Sequence, residues 1–285
     1  MPDVYDLLQS TSRTFALSIP RLDEPLRQQV AVGYLVFRLA DTIEDEGQAT
    51  PAQRTAALRD FAARLKARDT AGLKQSLHRW LADHAPDHDG YAQLLSDGGW
   101  VCAQLDAMHP DAADRIRFHA DRTVAGMIQR LETAVPIRSV REVRQYCYHV
   151  AGIVGELCTD LFLHDHPPLE QDRRCLMQLA VSFGEALQLV NILRDQGVDD
   201  TAGRRYVPDA NARRRLLRLA EAACGQAHLY VDHLRQGGAP AGVVEFNAFN
   251  LHLAQATLHL TATHGPGVKV SRDLVATALR QTTAT

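Results

Sequence analysis

The chain has 285 residues, of which 46% are hydrophobic, 23% are charged and only 6% are aromatic. That composition favours helices and supplies ample material for a core, and no linker or low-complexity run interrupts it, so we expect one domain over residues 1–285. The formal net charge of −3 gives the chain no overall electrostatic attraction for nucleic acid, and no nucleic-acid partner is expected.

Apolar residues recur with a period of about 3.6 along almost the whole chain, and no convincing run alternates as a strand would. Prolines and glycines mark the breaks between helices. The predicted helices, in chain order, span residues 24–46, 51–67, 70–84, 90–108, 111–133, 139–164, 168–197, 210–236, 239–263 and 270–281. This pattern predicts an all-α bundle with short connections, and bundles form ligand sites in the core from side chains on facing helices.

Two acidic clusters stand out within apolar helical stretches, one at residues 41–45 and one at residues 195–199. In each, the outer aspartates are separated by one helical turn and project from the same face. Unpaired carboxylates are costly to bury, but Mg²⁺ takes carboxylate oxygens and completes its coordination with water and substrate phosphates. Two such clusters facing each other across a cavity would hold a diphosphate through several Mg²⁺ ions.

The neighbours of the clusters favour a binding site over a solvated helix face, where carboxylate pairs of this spacing are also common. Helical spacing leads back from Asp41 to Arg38 and Tyr34, and from the second cluster to Asn191 and Gln188. The flanking residues are aliphatic, which is typical of a helix buried inside a bundle. A polar stripe on such a helix indicates contact with something other than bulk water.

The five cysteines show no metal-ligand spacing, and their number is odd, which favours reduced structural thiols in a cytosolic protein. Residues 1–6 do not resemble a signal peptide. No run of about eighteen apolar residues is present, so no membrane span is expected. We therefore expect a cytoplasmic protein with at most peripheral contact at the inner membrane face, where it could release an apolar product, and the sequence indicates no particular oligomeric state.

Two rival classes lack their sequence signatures. A ferritin-like di-iron bundle needs Glu-x-x-His pairs, and no glutamate here has a histidine three residues later. A dinucleotide-binding fold needs the glycine fingerprint between a strand and a helix, which is also absent. The acidic clusters therefore do not belong to either class.

Four ordered motifs resemble those of the squalene/phytoene synthase family, over roughly residues 5–280. Residues 11–15 resemble its amino-terminal Ser-Arg-x-Phe, and residues 34–45 its first aspartate-rich motif. Residues 146–155 resemble its Tyr-Cys-x-x-Val-Ala-Gly-x-Val-Gly helix. Residues 187–199, with the basic stretch 203–208, resemble its second aspartate-rich motif. The chain looks like a short bacterial squalene synthase-like member, which implies a single-domain isoprenoid synthase helical bundle with a central active-site cavity.

The resemblance implies a Mg²⁺-dependent prenyltransferase that joins two prenyl diphosphates head to head. The reaction passes through a cyclopropylcarbinyl diphosphate to a linear hydrocarbon. Large side chains after the glycine-rich part of residues 146–155, together with the squalene-like opening motif, favour farnesyl diphosphate and a C30 product such as squalene or dehydrosqualene. The alternatives are a phytoene synthase using geranylgeranyl diphosphate, or a same-fold enzyme that stops at presqualene diphosphate or makes another terpene. NADPH is a possible reductant for the final cation.

The same resemblance assigns roles to individual residues. The metal ligands it implies are Asp41, Glu44, Asp45, Asp195 and Asp199. The substrate-binding residues it implies are Ser12, Arg13, Arg38, Gln188, Asn191, Arg194 and Arg204. The residues it implies beside the reacting carbons are Tyr146, Tyr34 and Phe15.

Departures from the family pattern leave some alternatives open. Val198 stands where eukaryotic relatives carry a glutamate, and His149 where many relatives carry a tyrosine. A terpene cyclase would have a serine and a glutamate in its second metal motif, and both are missing from residues 191–199. A catalytically inactive relative should have lost one of the aspartate pairs, and both pairs are intact.

Overall fold

The computed structural model describes residues 3–133, 137–201 and 204–283. Within these residues every regular element is helical, which confirms the all-α prediction. The chain forms two compact units, Met1–Ala134 and Val135–Thr285. The expectation of one domain over the whole chain stays a prediction.

Among its described residues, the first unit contains seven α-helices and a short 3₁₀ turn at Ile19–Arg21. The helices are α1 (Val4–Thr11), α2 (Phe15–Ser18), α3 (Leu26–Glu44), α4 (Pro51–Ala67), α5 (Thr70–Asp83), α6 (Asp89–Asp106) and α7 (Pro110–Thr133). Helix α3 is its centre, because it packs against α1, α4, α6 and α7 and buries Leu35, Val36 and Leu39 completely. The carboxyl end of α3 holds the first acidic cluster.

In the part of the second unit that the structure describes, there are six α-helices, a π-helical turn at Tyr148–Gly152 and a 3₁₀ helix at Pro167–Asp172. The helices are α8 (Val140–Cys147), α9 (Ile153–Asp165), α10 (Arg173–Thr201), α11 (Ala210–Gln236), α12 (Ala241–His264) and α13 (Arg272–Thr283). Helix α10 is the centre of this unit and packs against α9, α11 and α12. Its carboxyl-terminal part holds the second acidic cluster.

The observed helices match the ten predicted ones closely, with two kinds of difference. Helices α1 and α2 were not predicted, because they are only 8 and 4 residues long and give little periodic signal. The segment predicted as one helix over 139–164 is divided by the π-helical turn, and the segment over 168–197 begins as a 3₁₀ helix. A π turn keeps the apolar pattern roughly continuous, so periodicity alone does not detect it.

Helices α9 and α10 approach each other through glycines. A Cβ added to Gly155 would lie 2.2 Å from the carbonyl oxygen of Ala180, and one added to Gly184 would lie 2.1 Å from that of Ala151. Only a residue without a side chain allows this backbone contact. Gly155 of the 146–155 motif thus has a structural reason, because it allows α9 to lie directly against the backbone of α10.

One helical stretch among the described residues is long and apolar enough to cross a membrane. It spans Pro167–Thr201, with a mean hydropathy of 1.4 over its 18-residue window, and 56% of that window is buried inside the protein. The core helix of a soluble protein meets the same criteria. This stretch is not an uninterrupted apolar run, because an average over a window tolerates polar residues. The expectation that no segment spans a membrane stays a prediction.

Candidate active site

The carboxyl-terminal half of α3 places Arg38 among aromatic rings and beside the first acidic cluster. The guanidinium carbon lies 5.5 Å from the ring centroid of Tyr34 and 5.7 Å from that of Tyr91, which stands on α6. Its Nε donates to the Tyr34 hydroxyl at 3.2 Å, and its Nη1 lies 3.2 Å from a carboxylate oxygen of Asp41. Arg38 is thus held by two rings and one carboxylate, and no sequence pattern had pointed to Tyr91.

The opening motif comes close to the same residues of α3. The Tyr34 hydroxyl donates to the carbonyl oxygen of Thr11 at 2.9 Å, and the rings of Phe15 and Tyr34 are 5.3 Å apart. Ser12 ends α1, and its hydroxyl accepts a hydrogen bond from the Phe15 backbone N–H at 3.0 Å. Arg13 is exposed. The structure therefore brings Ser12, Phe15 and Tyr34 together and gives Ser12 a local capping role.

Burial suppresses ionisation in the first acidic cluster. Burial raises the pKa of Asp41 to about 6, with Arg38 opposing the rise and Asp45 adding to it. Burial likewise raises the pKa of Glu44 to about 8, and the charges of Asp45 and Asp41 add to it, while Arg54 and Arg130 oppose it. Asp45 is exposed and caps α3, with its backbone N–H bonded to the Asp41 carbonyl oxygen at 2.8 Å.

Three carboxyl groups thus lie within about one helical turn, and two of them, Asp41 and Glu44, have raised pKa values because nearby cations do not offset their burial. The nearby arginine of α4, Arg54, donates to the backbone carbonyl oxygen of Glu44 at 2.6 Å and therefore fixes the helix end. A cation bound beside these carboxyl groups would lower their raised pKa values, and carboxylate oxygens are the ligands that hard divalent ions prefer. The residues of this cluster fit Mg²⁺.

The second acidic cluster differs because its aspartates are each bonded to an arginine. Arg194 donates from Nε and Nη2 to the two carboxylate oxygens of the adjacent Asp195, the first at 2.7 Å. Arg204 donates from Nε and Nη2 to one oxygen of Asp199, at 3.3 and 3.2 Å, and its backbone N–H bonds to the Asp199 carbonyl at 2.8 Å. The preceding residue of the basic stretch, Gly203, lies outside the described residues.

The polar stripe predicted on α10 is present. Gln188 and Asp195 are partly exposed and Asn191 is exposed, whereas the neighbouring Leu189 and Leu193 are completely buried. Because the stripe residues repeat at intervals of three and four, they lie on one face of the helix. This face leads from the glycine contact with α9 to the second acidic cluster.

Tyr146 stands in the last turn of α8, two residues before the π-helical turn, and is paired with a second tyrosine. Its ring stacks on that of Tyr206 with centroids 4.8 Å apart and an interplanar angle of 26°. The Tyr206 hydroxyl donates to the Tyr146 hydroxyl at 3.0 Å. Tyr206 lies in the basic stretch after the second acidic motif and was not singled out from sequence. Its position in that motif was the only available signal.

The predicted site residues are therefore divided between the two units. The first holds Ser12, Arg13, Phe15, Tyr34, Arg38, Asp41, Glu44 and Asp45. The second holds Tyr146, Gln188, Asn191, Arg194, Asp195, Asp199 and Arg204. The expectation that both clusters line one central cavity stays a prediction, as do the individual roles of these residues.

Comparison with known proteins agrees with this helical architecture and these motifs. The family model for squalene/phytoene synthase matches residues 8–280, and the chain belongs to the squalene/phytoene synthase family. A squalene synthase of Eremothecium gossypii is 29% identical over 211 residues, which cover 72% of this chain and 45% of the relative. One of Candida albicans is 31% identical over 208 residues, which cover 72% and 44%. The chain thus spans less than half the length of these curated relatives.

Solved structures show the same fold. A complex of TcSQS with the ligand BPH1237 has a TM-score of 0.77 and 24% identity, covering 98% of this chain and 85% of that one. A dehydrosqualene synthase in complex with a ligand has a TM-score of 0.56 and 20% identity, covering 99% and 94%. At these identities the likeness defines the fold, and the isoprenoid-synthase type of helical bundle expected from the sequence is confirmed.

Proposed function

We propose that this protein joins two molecules of farnesyl diphosphate head to head, through a cyclopropylcarbinyl diphosphate, to a linear C30 hydrocarbon such as squalene or dehydrosqualene. The observation that carries the proposal is that each acidic motif combines carboxylates with an arginine that already contacts one of them. A Mg²⁺-bound diphosphate needs both kinds of partner, because the metal takes carboxylates and the phosphate oxygens take guanidinium groups. Family membership and the squalene synthases among the relatives point to the same chemistry.

The ion pairs suggest how the substrate is accommodated. When a diphosphate arrives with its metal ions, Arg38, Arg194 and Arg204 exchange an aspartate for a phosphate oxygen. The carboxylates of the two motifs would then be free to hold Mg²⁺, so charge pairing would be preserved. The groups that would hold Mg²⁺ are Asp41, Glu44, Asp45, Asp195 and Asp199. A bound Mg²⁺ supplies Lewis-acid stabilisation of the departing diphosphate.

The aromatic residues serve the carbocation that forms when the diphosphate leaves. The rings of Phe15 and Tyr34 present π faces that attract positive charge. Apolar walls keep out water, which would otherwise convert the cation into an alcohol. Tyr146 would hold or accept the proton lost in the first step, with its hydroxyl oriented by Tyr206. Gln188 and Asn191 would position the substrate along α10, and Ser12 and Arg13 would bind it from the opening motif.

The proposal also specifies the length of the prenyl chain in the substrate and the fate of the final carbocation. Phe162 and Leu161 are almost completely buried, and the Phe162 ring meets that of Phe246 at 6.3 Å. Large buried side chains beyond the glycine motif favour the C15 substrate over the C20 one. Squalene formation requires hydride from NADPH, whereas dehydrosqualene formation requires only loss of a proton. We place the protein in the cytoplasm, in peripheral contact with the inner membrane face for release of the hydrocarbon.

The decisive experiment supplies labelled farnesyl and geranylgeranyl diphosphates with Mg²⁺, with and without NADPH, and identifies the products. We expect a C30 hydrocarbon from farnesyl diphosphate at the higher kcat/KM. A C40 product with the opposite preference would change the substrate assignment to that of a phytoene synthase. Failure to condense either diphosphate, by a folded protein with Mg²⁺ present, would overturn the proposed function.

The metal requirement is tested on the same assay. Asp41→Asn and Asp195→Asn should each lower turnover by at least about 100-fold while the helical content is unchanged, because each removes a ligand charge and little volume. Asp121→Asn is the matched control, since Asp121 is exposed on α7 and outside both clusters. EDTA should abolish turnover and Mg²⁺ should restore it. Full turnover in EDTA would contradict the metal assignment.

A further inference from the structure

A pocket of about 530 Å³ opens on the second unit among α8, α10 and α11. Its polar and aromatic lining consists of Arg141, Arg144, Gln145, Tyr148, Glu185 and Arg215. No residue of the lining belongs to the candidate active site described above. The volume lies within the range of about 300–1,000 Å³ that small-molecule sites occupy. The pocket is therefore large enough for a ligand and needs a chemical explanation of its own.

One charged pair in the lining is fixed. Arg144 donates from Nε to Glu185 at 2.6 Å and from Nη2 to its other carboxylate oxygen at 3.1 Å. Glu185 is buried, with 7% of its side chain exposed, while Arg144 is largely exposed at the pocket. This bidentate pair neutralises the only carboxylate among the described residues of the lining and holds the Arg144 guanidinium in place.

The other two arginines are exposed and uncompensated. Among the residues that the structure describes, Arg141 and Arg215 form no ion pair or side-chain hydrogen bond. With Arg144 paired to Glu185, the lining has a net charge of +2. Two guanidinium forks on different helices, α8 and α11, match an anion that offers several oxygens in fixed geometry, as a phosphoryl group does.

The rest of the lining is suited to an organic body attached to that anion. The ring of Tyr148 and the side chains of Val140 and Val181 form an apolar wall, and Gln145 adds an amide for a polar substituent. The Tyr148 hydroxyl is directed to Glu156, 3.5 Å away, and this contact restrains the ring at the π-helical turn. We propose that this pocket binds a phosphate monoester of a small organic molecule, with Arg141 and Arg215 holding the phosphate and Tyr148 packing against the organic body.

The test measures binding and not turnover, so it is independent of the proposed reaction. Phenyl phosphate is titrated calorimetrically into the whole protein in EDTA, with inorganic phosphate as the comparison. We expect saturable binding of phenyl phosphate, tighter than that of inorganic phosphate. The double variant Arg141→Ala/Arg215→Ala should weaken it by at least about tenfold, because two charge-assisted contacts are lost. Tyr148→Ala should remove the preference for phenyl phosphate over inorganic phosphate.

Two controls make the outcome decisive. Arg214→Ala removes an exposed arginine next to Arg215 that does not line the pocket, and it should leave binding unchanged. Asp41→Asn combined with Asp195→Asn should also leave binding unchanged, since the pocket does not include the acidic clusters. Absence of saturable binding to the wild-type protein, or equal weakening by Arg214→Ala, would overturn the proposal. Thermal unfolding of each variant verifies that the fold is intact.

Discussion

The contact between α9 and α10 allows a quantitative prediction for Gly155→Ala. A methyl group at this position would lie 2.2 Å from the Ala180 carbonyl oxygen, whereas ordinary van der Waals contact begins at 3.4 Å. The two helices would have to separate by about 1.2 Å, the difference between these distances. The obstructing atom is a backbone oxygen within α10, so no side-chain rotation can relieve the overlap.

The expected loss of stability follows from two opposing contributions. Overpacking of a close helix contact costs about 1–3 kcal/mol, and a rigid backbone obstacle places this case at the upper end. The change from glycine to alanine in a helix returns about 1 kcal/mol. We therefore expect a net destabilisation of about 2 kcal/mol, which corresponds to a decrease in Tm of at least about 4 °C for a unit of this size.

Thermal unfolding followed by circular dichroism measures this loss, and Gly225→Ala is the matched control. Gly225 is also within a helix and is exposed, and a methyl group added there would have nothing within 4 Å of it, so its replacement should raise stability by up to about 1 kcal/mol. The two variants should thus shift Tm in opposite directions. Equal or higher Tm for Gly155→Ala would refute the argument that backbone contact requires glycine there.

Four further predictions concern tyrosines and thiols. Tyr206→Phe keeps the stacked ring but removes the hydrogen bond to Tyr146, so turnover should fall by about tenfold with little change in KM, as steady-state kinetics would show. Tyr146→Phe should abolish the cyclopropyl intermediate as well as the final product, and accumulation of that intermediate at the wild-type rate would assign Tyr146 to a later step or to the core. Burial raises the pKa of Cys102 and of Cys158 to about 12, so both should react slowly with a disulfide reagent near pH 8 and rapidly after unfolding. For the same reason the free energy of unfolding should decrease as pH rises from about 9 towards 12, because the unfolded chain releases the protons of these two thiols in that range while the folded chain retains them.

The long helices could be predicted because their buried residues recur every three to four positions in the sequence. Helix α4 is an example, since Pro51 begins it and Thr50 and Gln53 form a capping box before the first buried residues. Helix α1 also has a local signal, an Asp3 side chain that accepts from the Tyr5 backbone at 2.6 Å. That helix is too short for a helical repeat of apolar residues to be recognised in its sequence, so it was not predicted.

The residues missed at the candidate site share a different cause. Tyr91 meets Arg38 from α6, and Tyr206 meets Tyr146 from the stretch that follows α10. Each contact joins elements that are distant in sequence, and neither tyrosine lies in a pattern that periodicity or spacing would select. Tertiary packing creates these contacts, whereas the acidic pairs and their polar stripes are local to one helix and could be recognised directly.

Two motifs that look alike in sequence therefore differ in electrostatic character. In the second motif each outer aspartate already shares a hydrogen-bonded arginine, Arg194 or Arg204, and much of the negative charge is compensated within the protein. In the first motif, among the described residues, Asp41 is the only carboxyl group with an arginine ion pair, to Arg38, while burial raises the pKa of the nearby Glu44. A divalent cation relieves more unfavourable charge at the first motif than at the second, where it must first displace an arginine. Under the proposed function, the first motif would therefore attract the cation, and the second would exchange its arginines for the phosphate oxygens of the substrate.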